Sequence, residues 1–335
     1  MPQPPVRGGP GRPPPGRTHH PGRDRGRAGH RRRHPRRSAG RAAAGPLASS
    51  PSRVTRAGQP SRPAADEPPV SILIDFDGTI SLRDVGDTLL ARFVGSPEVA
   101  RLDARYAAGL VGSRELLTWD MDVLPPDPDL LQAAAAAIPS DPALGRFVAT
   151  ARAARIELEV VSDGLGFYVQ GSLDRLGLGD LAVATNANRL VGGGAGMTFP
   201  YGHPHCFVCG TCKRARVWAH QAAGRAVVFI GDGASDRYAA FHADLVFAKE
   251  QLADLCQGEG WPFRAWTDFA TLAAWLAEAL STGDLPPRPE ELTAWRSRYR
   301  SAAQLDRRAG GSGFICGPEA WGADRSRPVP SPSRA

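Results

Sequence analysis

Val70–Ile74 is a five-residue run, apolar but for Ser71, behind Pro68 and Pro69, and Asp75-Phe76-Asp77-Gly78-Thr79 follows it at once. A run this short and this apolar predicts a strand buried on both faces, which is the habit of parallel sheets. Such a strand needs parallel neighbours and helices on both sides. Ile156–Val161 and Ala226–Ile230 supply two neighbours, the first followed by Ser162-Asp163-Gly164 and the second by Gly231-Asp232-Gly233-Ala234-Ser235-Asp236. The fold class expected is α/β, a Rossmann-like, doubly wound, mainly parallel sheet. Ligands of open sheets of this kind bind at the carboxyl ends of the strands, where all these polar groups fall.

Asp75 and Asp77 stand two residues apart, so strand alternation starts them on one side with Phe76 turned away. Two neighbouring carboxylates are costly unless a cation or a shared proton holds them, and hard oxygen ligands imply Mg²⁺. A strand-end Asp before an Asp-Gly turn is the plainer alternative for this hexapeptide alone. Lys213 adds a cation at the start of a helix expected over Lys213–Ala223. Lys213 and Lys249 are the two lysines among 41 basic residues, which suggests that a compact ammonium is wanted there.

Taken in order, DFDGT, a strand ending in Ser162, a separate Lys213, and GDxxxD from Asp232 to Asp236 resemble the four signatures of the haloacid dehalogenase superfamily of phosphatases, over roughly residues 70 to 280. The resemblance implies Asp75 as nucleophile, Asp77 as general acid and base, and Ser162 with the N–H groups after it as holders of a phosphoryl oxygen. It also implies a Mg²⁺ site made by Asp75, the backbone carbonyl of Asp77 and Asp232, with Asp236 holding a metal-bound water or orienting Lys213. About eighty residues between the first two signatures exceed a simple crossover and read as helices: Val85–Val94, Pro97–Ala108, Ser113–Val123 and Pro128–Ile138. They resemble the small helical cap of the phosphoserine-phosphatase-like branch, inserted after the first strand at about 83–140. Asp84 aligns with an acidic cap residue that contacts substrate in that branch. Arg101, Arg105 and Arg114 are candidates to bind a substrate anion, or equally solvated helix surface.

Further along, Leu181–Thr185 and Asp244–Ala248 read as strands, 186–199 as a hairpin, and Ala143–Ala154 and Thr267–Leu280 as helices packed on the sheet. Between the hairpin and Lys213 lie His203, His205, Cys206, Cys209 and Cys212, the cysteines at C-x₂-C-x₂-C spacing. This spacing suits a structural Zn²⁺ held by the three thiolates and one histidine; the alternative is reduced thiols packed in a loop. Five cysteines in all argue against a disulfide framework. A Cys-rich loop ending in Cys-Lys, followed by GDxxxD, is similar to the 2-hydroxy-3-keto-5-methylthiopentenyl-1-phosphate phosphatase group of methionine salvage.

Charge divides the chain. Residues 1–68 carry fifteen arginines against three acids, a net of +12 in a chain of net +7, so residues 69–335 carry −5. That leader holds no Ile, Phe, Trp or Tyr, and it is expected to be disordered through residue 68. Its run His30–Arg37 admits a nucleic-acid-binding reading with a vestigial phosphatase fold; a GC-rich leader is the plainer one. The core is expected at 69–281 and a polar, mostly disordered tail at 282–335. No h-region follows the Arg pairs and no apolar stretch is long enough to span a membrane, so a cytoplasmic protein is expected. The function expected is a Mg²⁺-dependent phosphomonoesterase acting on a small phosphate ester, with phosphoserine phosphatase as the alternative.

Overall fold

The computed structural model describes residues 56–107, 111–191, 194–203 and 208–287. In chain order the elements are β1 (Val70–Ile74), α1 (Val85–Phe93), α2 (Ser96–Ala107), α3 (Ser113–Val123), α4 (Pro128–Ala136), α5 (Leu144–Ala153), β2 (Glu157–Leu165), α6 (Gly166–Arg175), β3 (Ala182–Val191) and β4 (Gly194–Thr198). There follow α7 (Lys213–Ala222), β5 (Ala226–Gly231), α8 (Arg237–His242), β6 (Leu245–Ala248), α9 (Glu250–Gly258), β7 (Arg264–Ala265) and α10 (Phe269–Thr282). The seven strands make one sheet in the order β4-β3-β2-β1-β5-β6-β7. Every pairing is parallel except β3 with β4. The doubly wound α/β sheet read from the sequence is therefore present.

Alternation along the central strands divides the core in two. Ile72, Ile74, Val160, Val228 and Ile230 face one buried cluster, together with Phe147 of α5 and Leu276 of α10. Leu73, Val161, Val227 and Phe229 face the other, together with Val217 of α7, Ala239 of α8 and Leu252 of α9. Burial on both faces is what makes β1 and β5 read as mostly apolar runs, whereas β2 carries Glu157 and Glu159. Phe76 belongs to the first cluster, so Asp75, one residue earlier, extends the Ser71–Leu73 side toward α7.

The expected helices between β1 and β2 are all present. Asp84 caps α1 by accepting from the Asp87 N–H, and Asp127 caps α4 by accepting from the N–H groups of Asp129 and Leu130, with Pro128 in the first turn. The chain leaves and rejoins the sheet through a neck: Ser81 bridges Ser140, Leu82 N–H donates to Pro139 O at 2.9 Å, and Asp141 N–H donates to Ile80 O at 2.9 Å. Helices α1 and α3 reach back to β2.

Two boundaries differ from expectation. β2 continues beyond Val161 to Leu165, because Leu165 regains pairing with Asn186 across a register shift. β3 runs to Val191 because its second half changes partner and pairs antiparallel with β4, from Ala187 opposite Thr198 to Val191 opposite Gly194. β7, two residues long, had no alternation to reveal it. The run His30–Arg37 and residues 288–335 of the expected tail lie outside the described residues.

Residues 56–68, expected to be part of a disordered leader, correct that reading. Arg56 bridges Val183 in parallel, Ala57 N–H donates to Val183 O at 2.9 Å, and Ala57 is buried. Tyr201 donates to Ala57 O at 3.0 Å, Arg216 to Gly58 O at 2.9 Å and Arg225 to Ser61 O at 2.8 Å. The segment docks through backbone groups and a small side chain, so a lack of aromatic and β-branched residues did not prevent it. Protein starting at residue 65 should therefore melt lower than protein starting at residue 55, by the equivalent of about 1–3 kcal/mol for the orphaned partners. Equal melting temperatures in calorimetry would overturn this account.

Candidate active site

Helix α7 sets the site. Its inner face carries Lys213, Arg216 and His220, spaced so that all three meet the sheet. Arg216 is paired with Glu159 of β2 through Nε at 2.6 Å and a terminal guanidinium nitrogen at 2.7 Å. His220 Nε2 lies 2.7 Å from the same carboxylate, and its Nδ1 lies 2.8 Å from Ser71 Oγ. Burial alone would raise the Glu159 carboxyl, but its bonds to His220 and Arg216 hold it below the usual range. These contacts fix the helix axially, and so fix the lysine at its first position.

Lys213 is buried, and each hydrogen of its ammonium has a partner. It donates to Asp75 Oδ1 at 2.6 Å, to Asp236 Oδ1 at 2.7 Å and to Ser235 Oγ at 3.0 Å. Burial disfavours this charge, yet Asp236 and Asp75 raise its pKa above the ordinary value. Asp236 also accepts from the N–H groups of Asp232 and Gly233 through Oδ2, at 3.0 and 3.1 Å. Asp236 thus orients the lysine, one of the two roles the resemblance allowed.

Asp75 and Asp77 face different company. Burial pushes the Asp75 carboxyl well above its usual range, with Asp236 adding to the shift and Lys213 opposing it. Asp77 turns toward the inserted helices, where Val85 N–H donates to Oδ1 at 3.0 Å and the Tyr168 hydroxyl to Oδ2 at 2.9 Å. Burial, and then the neighbouring Asp84, push the Asp77 carboxyl up as well. Asp232 approaches Gly78 (φ +74°) so closely that a Cβ there would collide with its carboxylate. Thr79 Oγ1 donates to Asp232 Oδ1, and burial with Asp236 raises the Asp232 pKa to about 7.

A cavity of about 550 Å³ opens above these groups. Asp75, Asp77, Lys213 and Asp232 line it at the sheet end, and Asp84 lines it from α1. Ser162, expected to hold a phosphoryl oxygen, is fully buried, accepts from Gly164 N–H at 2.9 Å and is not part of the wall; Asp163 and Gly164 are. The continuation of β2 past Ser162 keeps that hydroxyl inside.

None of the three arginine candidates lines the cavity. Arg101 pairs with Glu98 on the exposed face of α2, and Arg105 lies 4.0 Å from Glu115. Arg114 donates to Cys209 O at 2.8 Å. Sequence reading missed Tyr168, Ser235 and the further cavity carboxylates Asp87, Asp103 and Asp120. Asp87 follows Asp84 at helical spacing, which was a usable signal; Tyr168 reads simply as core.

His205 and Cys206 lie outside the described residues. Among the described residues, His203, Cys209 and Cys212 join no metal-ligating group, and nothing supports zinc. Other groups hold the chain just before Lys213: Thr211 N–H donates to Asp163 Oδ1 at 2.7 Å and Thr211 Oγ1 to Asn186 Oδ1 at 3.2 Å. Asn186 Nδ2 in turn donates to Asp163 O at 3.0 Å.

A family model described as haloacid dehalogenase-like hydrolase matches residues 72–240, just over half the chain. The chain belongs to that family. It is 26% identical over 202 residues to a Brevibacillus brevis protein named 2-hydroxy-3-keto-5-methylthiopentenyl-1-phosphate phosphatase, a match covering 59% of this chain and 90% of the relative. An Exiguobacterium sibiricum protein of the same name is 29% identical over 213 residues, covering 60% of this chain and 92% of the relative. A solved phosphoserine phosphatase in a phospho-aspartyl intermediate analogue superposes with a TM-score of 0.49 at 17% identity, over 62% of this chain and 99% of that one.

Hydrolases of this family generally use Mg²⁺, and the donor set fits one. Asp75, Asp232 and Asp236 offer ligand atoms within 4.8 Å of one another, and Lys213 is the one buried cation bonded among them. Three carboxylates against one ammonium leave negative charge that a hard cation would offset. Because Asp236 is already engaged through both oxygens, Asp75 and Asp232 are the carboxylates left to hold it. No helix among the described residues is long and apolar enough to cross a membrane.

The close approach of Gly78 to Asp232 gives a check. Gly78→Ala combines a left-handed backbone with a collision, so it should destabilise by more than about 1 kcal/mol in urea denaturation. An unchanged midpoint would remove that contact from the site.

Proposed function

We propose that this chain is a phosphomonoesterase that hydrolyses a small phosphate ester through an aspartyl-phosphate. The observation that carries the reading is the unequal treatment of two carboxylates two residues apart. Asp75 is held by an ammonium at 2.6 Å at the cavity floor, while Asp77 is turned aside and bonded by Tyr168 and Val85.

In the first step an Asp75 carboxylate oxygen attacks phosphorus as the phosphorus–ester oxygen bond breaks. The departing oxygen takes a proton from Asp77, so a neutral alcohol leaves. In the second step a water oxygen attacks phosphorus and gives its proton to Asp77. The bond to Asp75 breaks, and inorganic phosphate leaves with both carboxyl groups restored. Lys213 holds Asp75 in place and offsets the charge of the incoming phosphate. Tyr168 fixes the carboxyl of Asp77 toward the side from which the alcohol departs. Asp75, Asp232 and the carbonyl of Asp77 would hold Mg²⁺, which when bound supplies positive charge against the phosphoryl oxygens. Gly164 and Asp163 bound the phosphate end of the cavity, and Ser162 supports them from beneath through its bond to Gly164.

The printed names of the two relatives, matched over nine-tenths of their length, support 2-hydroxy-3-keto-5-methylthiopentenyl-1-phosphate as a first substrate to assay. The intact set Asp75, Asp77, Lys213, Asp232 and Asp236 speaks against a vestigial site.

The acid role is tested by leaving group. Asp77→Asn should slow an alkyl phosphate by about 10²–10⁴ but p-nitrophenyl phosphate far less, because nitrophenolate departs without a proton. Equal losses on both would remove Asp77 from that role. Asp75→Asn should abolish both activities in protein that circular dichroism shows to be folded; near-wild-type turnover would exclude the nucleophile. Tyr168→Phe should lower alkyl phosphate kcat by about tenfold, the effect of one hydrogen bond to a charged partner, and a silent change would make Tyr168 merely core.

A further inference from the structure

The inserted helices and the turn before them bring four acids and one base, Arg83, to the cavity wall. Asp84 and Asp87 come from α1, Asp103 from α2 and Asp120 from α3. Asp120 stands apart from the other three. It is only 6% exposed, and its Oδ1 has no hydrogen-bond partner. A buried carboxylate oxygen without a donor is expensive, and it persists where something else supplies the donor. Burial, with Asp87, Asp84 and Asp103 adding to it, pushes this carboxyl up to about 8, and burial with Asp84 and Asp103 pushes Asp87 to about 7.

A second metal ion does not answer this arrangement. Among the described residues, the carboxylates that bring ligand atoms within 4.8 Å of one another are Asp75, Asp232 and Asp236, not these four. Acids spread over three helices suit a cation with several N–H donors or a diffuse charge. Tyr106 and Tyr168 also line the cavity, so aromatic surface for such a cation is at hand. A leaving group bearing its own carboxylate would meet these four acids, with Arg83, next to Asp84 in the chain, as the one cation among the described residues that lines the cavity besides Lys213.

Resting on the phosphatase reading above, we propose that the inserted helices select a phosphate ester whose alcohol carries a protonated amine and no acid group, with Asp120 as the specificity-determining residue and Asp87 and Asp103 beside it. The class is the amino-alcohol phosphates. It differs from the neutral carbon chain in the relatives' name, and from serine, which carries a carboxylate as well as an amine.

The test compares three phosphates on the full chain with Mg²⁺: O-phosphoethanolamine, 2-hydroxyethyl phosphate, in which a hydroxyl replaces the ammonium, and O-phosphoserine. The amine should be preferred over the hydroxyl by about tenfold or more in kcat/KM, the effect of one charged hydrogen bond, and O-phosphoserine should fall below O-phosphoethanolamine. Asp120→Asn should bring the amine-to-hydroxyl ratio to within about threefold of one. Asp87→Asn, at an exposed position, should move it in the same direction and guards against an Asp120 variant that fails to fold. A wild-type ratio near or below one, or a ratio that neither variant changes, overturns the proposal. Failure to turn over p-nitrophenyl phosphate would instead overturn the phosphatase reading. In that event calorimetry on Asp75→Asn protein still decides the amine preference: tighter binding of O-phosphoethanolamine than of 2-hydroxyethyl phosphate supports it, and equal or weaker binding refutes it.

Discussion

The ammonium of Lys213, buried between Asp75 and Asp236, is the interaction on which the rest of this structure depends. An ammonium taken out of water is tolerated only where charge and hydrogen bonds replace its hydration, and here all three of its donors are used. That demand reaches outward. Asp236 must present one oxygen to the lysine, so its other oxygen is anchored on the backbone of Asp232 and Gly233. The helix must not slide, so Arg216 and His220 close on Glu159 one and two turns further along. Glu159 lies on the same face of the sheet as Asp75, which ties the seam of β1 and β2 to the position of one nitrogen. The polar face of α7 is in this sense a positioning device laid into an otherwise apolar layer.

The same constraint explains why Asp75 and Asp77 differ. Once Lys213 is fixed over Asp75, that carboxylate faces α7 and the metal-ligating set. Asp77 comes after the strand has ended, and its partners, Val85 and Tyr168, belong to the first inserted helix and to the helix after β2. One carboxylate is therefore governed by the sheet, the other by what is inserted above it. Close approach keeps the two environments apart: Gly164 leaves room for Tyr168 and Asp77 to meet, and a Cβ there would collide with both.

This division also accounts for what the sequence revealed. β1 and β5 were legible because burial on both faces demands mostly apolar residues, β2 because Val160 and Val161 run into Ser162-Asp163-Gly164, and strand ends followed by Asp-containing turns mark where ligands bind. The helices between β1 and β2 were legible because about eighty residues between two parallel strands exceed a simple crossover. Tyr168 was not, because a tyrosine on a helix facing the core has the same spacing whether or not its hydroxyl meets a carboxylate. Ser162 lies behind the cavity wall because β2 continues four residues beyond Val161, and pairing of Leu165 with Asn186 is a property of two distant segments. The docking of Ala57 on β3 escaped for a related reason: it is made by backbone groups, which carry no compositional signal. Arg101 and Arg105 drew attention as charges, but their place on α2 is decided by Leu102, which is buried and turns them outward.

Chemistry and selection thus come from different parts of the chain. Asp75, Lys213, Asp232 and Asp236 stand on β1, β5 and α7 or just after them, elements held by two-sided burial and a closed set of ion pairs. Asp84, Asp87, Asp103 and Asp120 stand on α1, α2 and α3, which join the sheet through the neck at Ser81 and Ser140 and through contacts of α1 and α3 with β2. A substitution in the first group disturbs a network in which every partner is committed, whereas Asp87 and Asp103 in the second accept no such set of ion pairs among the described residues and Asp84 serves also as the cap of α1. Identity of 26–29% to the named relatives therefore bears more strongly on the reaction than on the alcohol released. Asp84, Asp87, Asp103 and Asp120 line the part of the cavity that, on the proposal above, receives the alcohol.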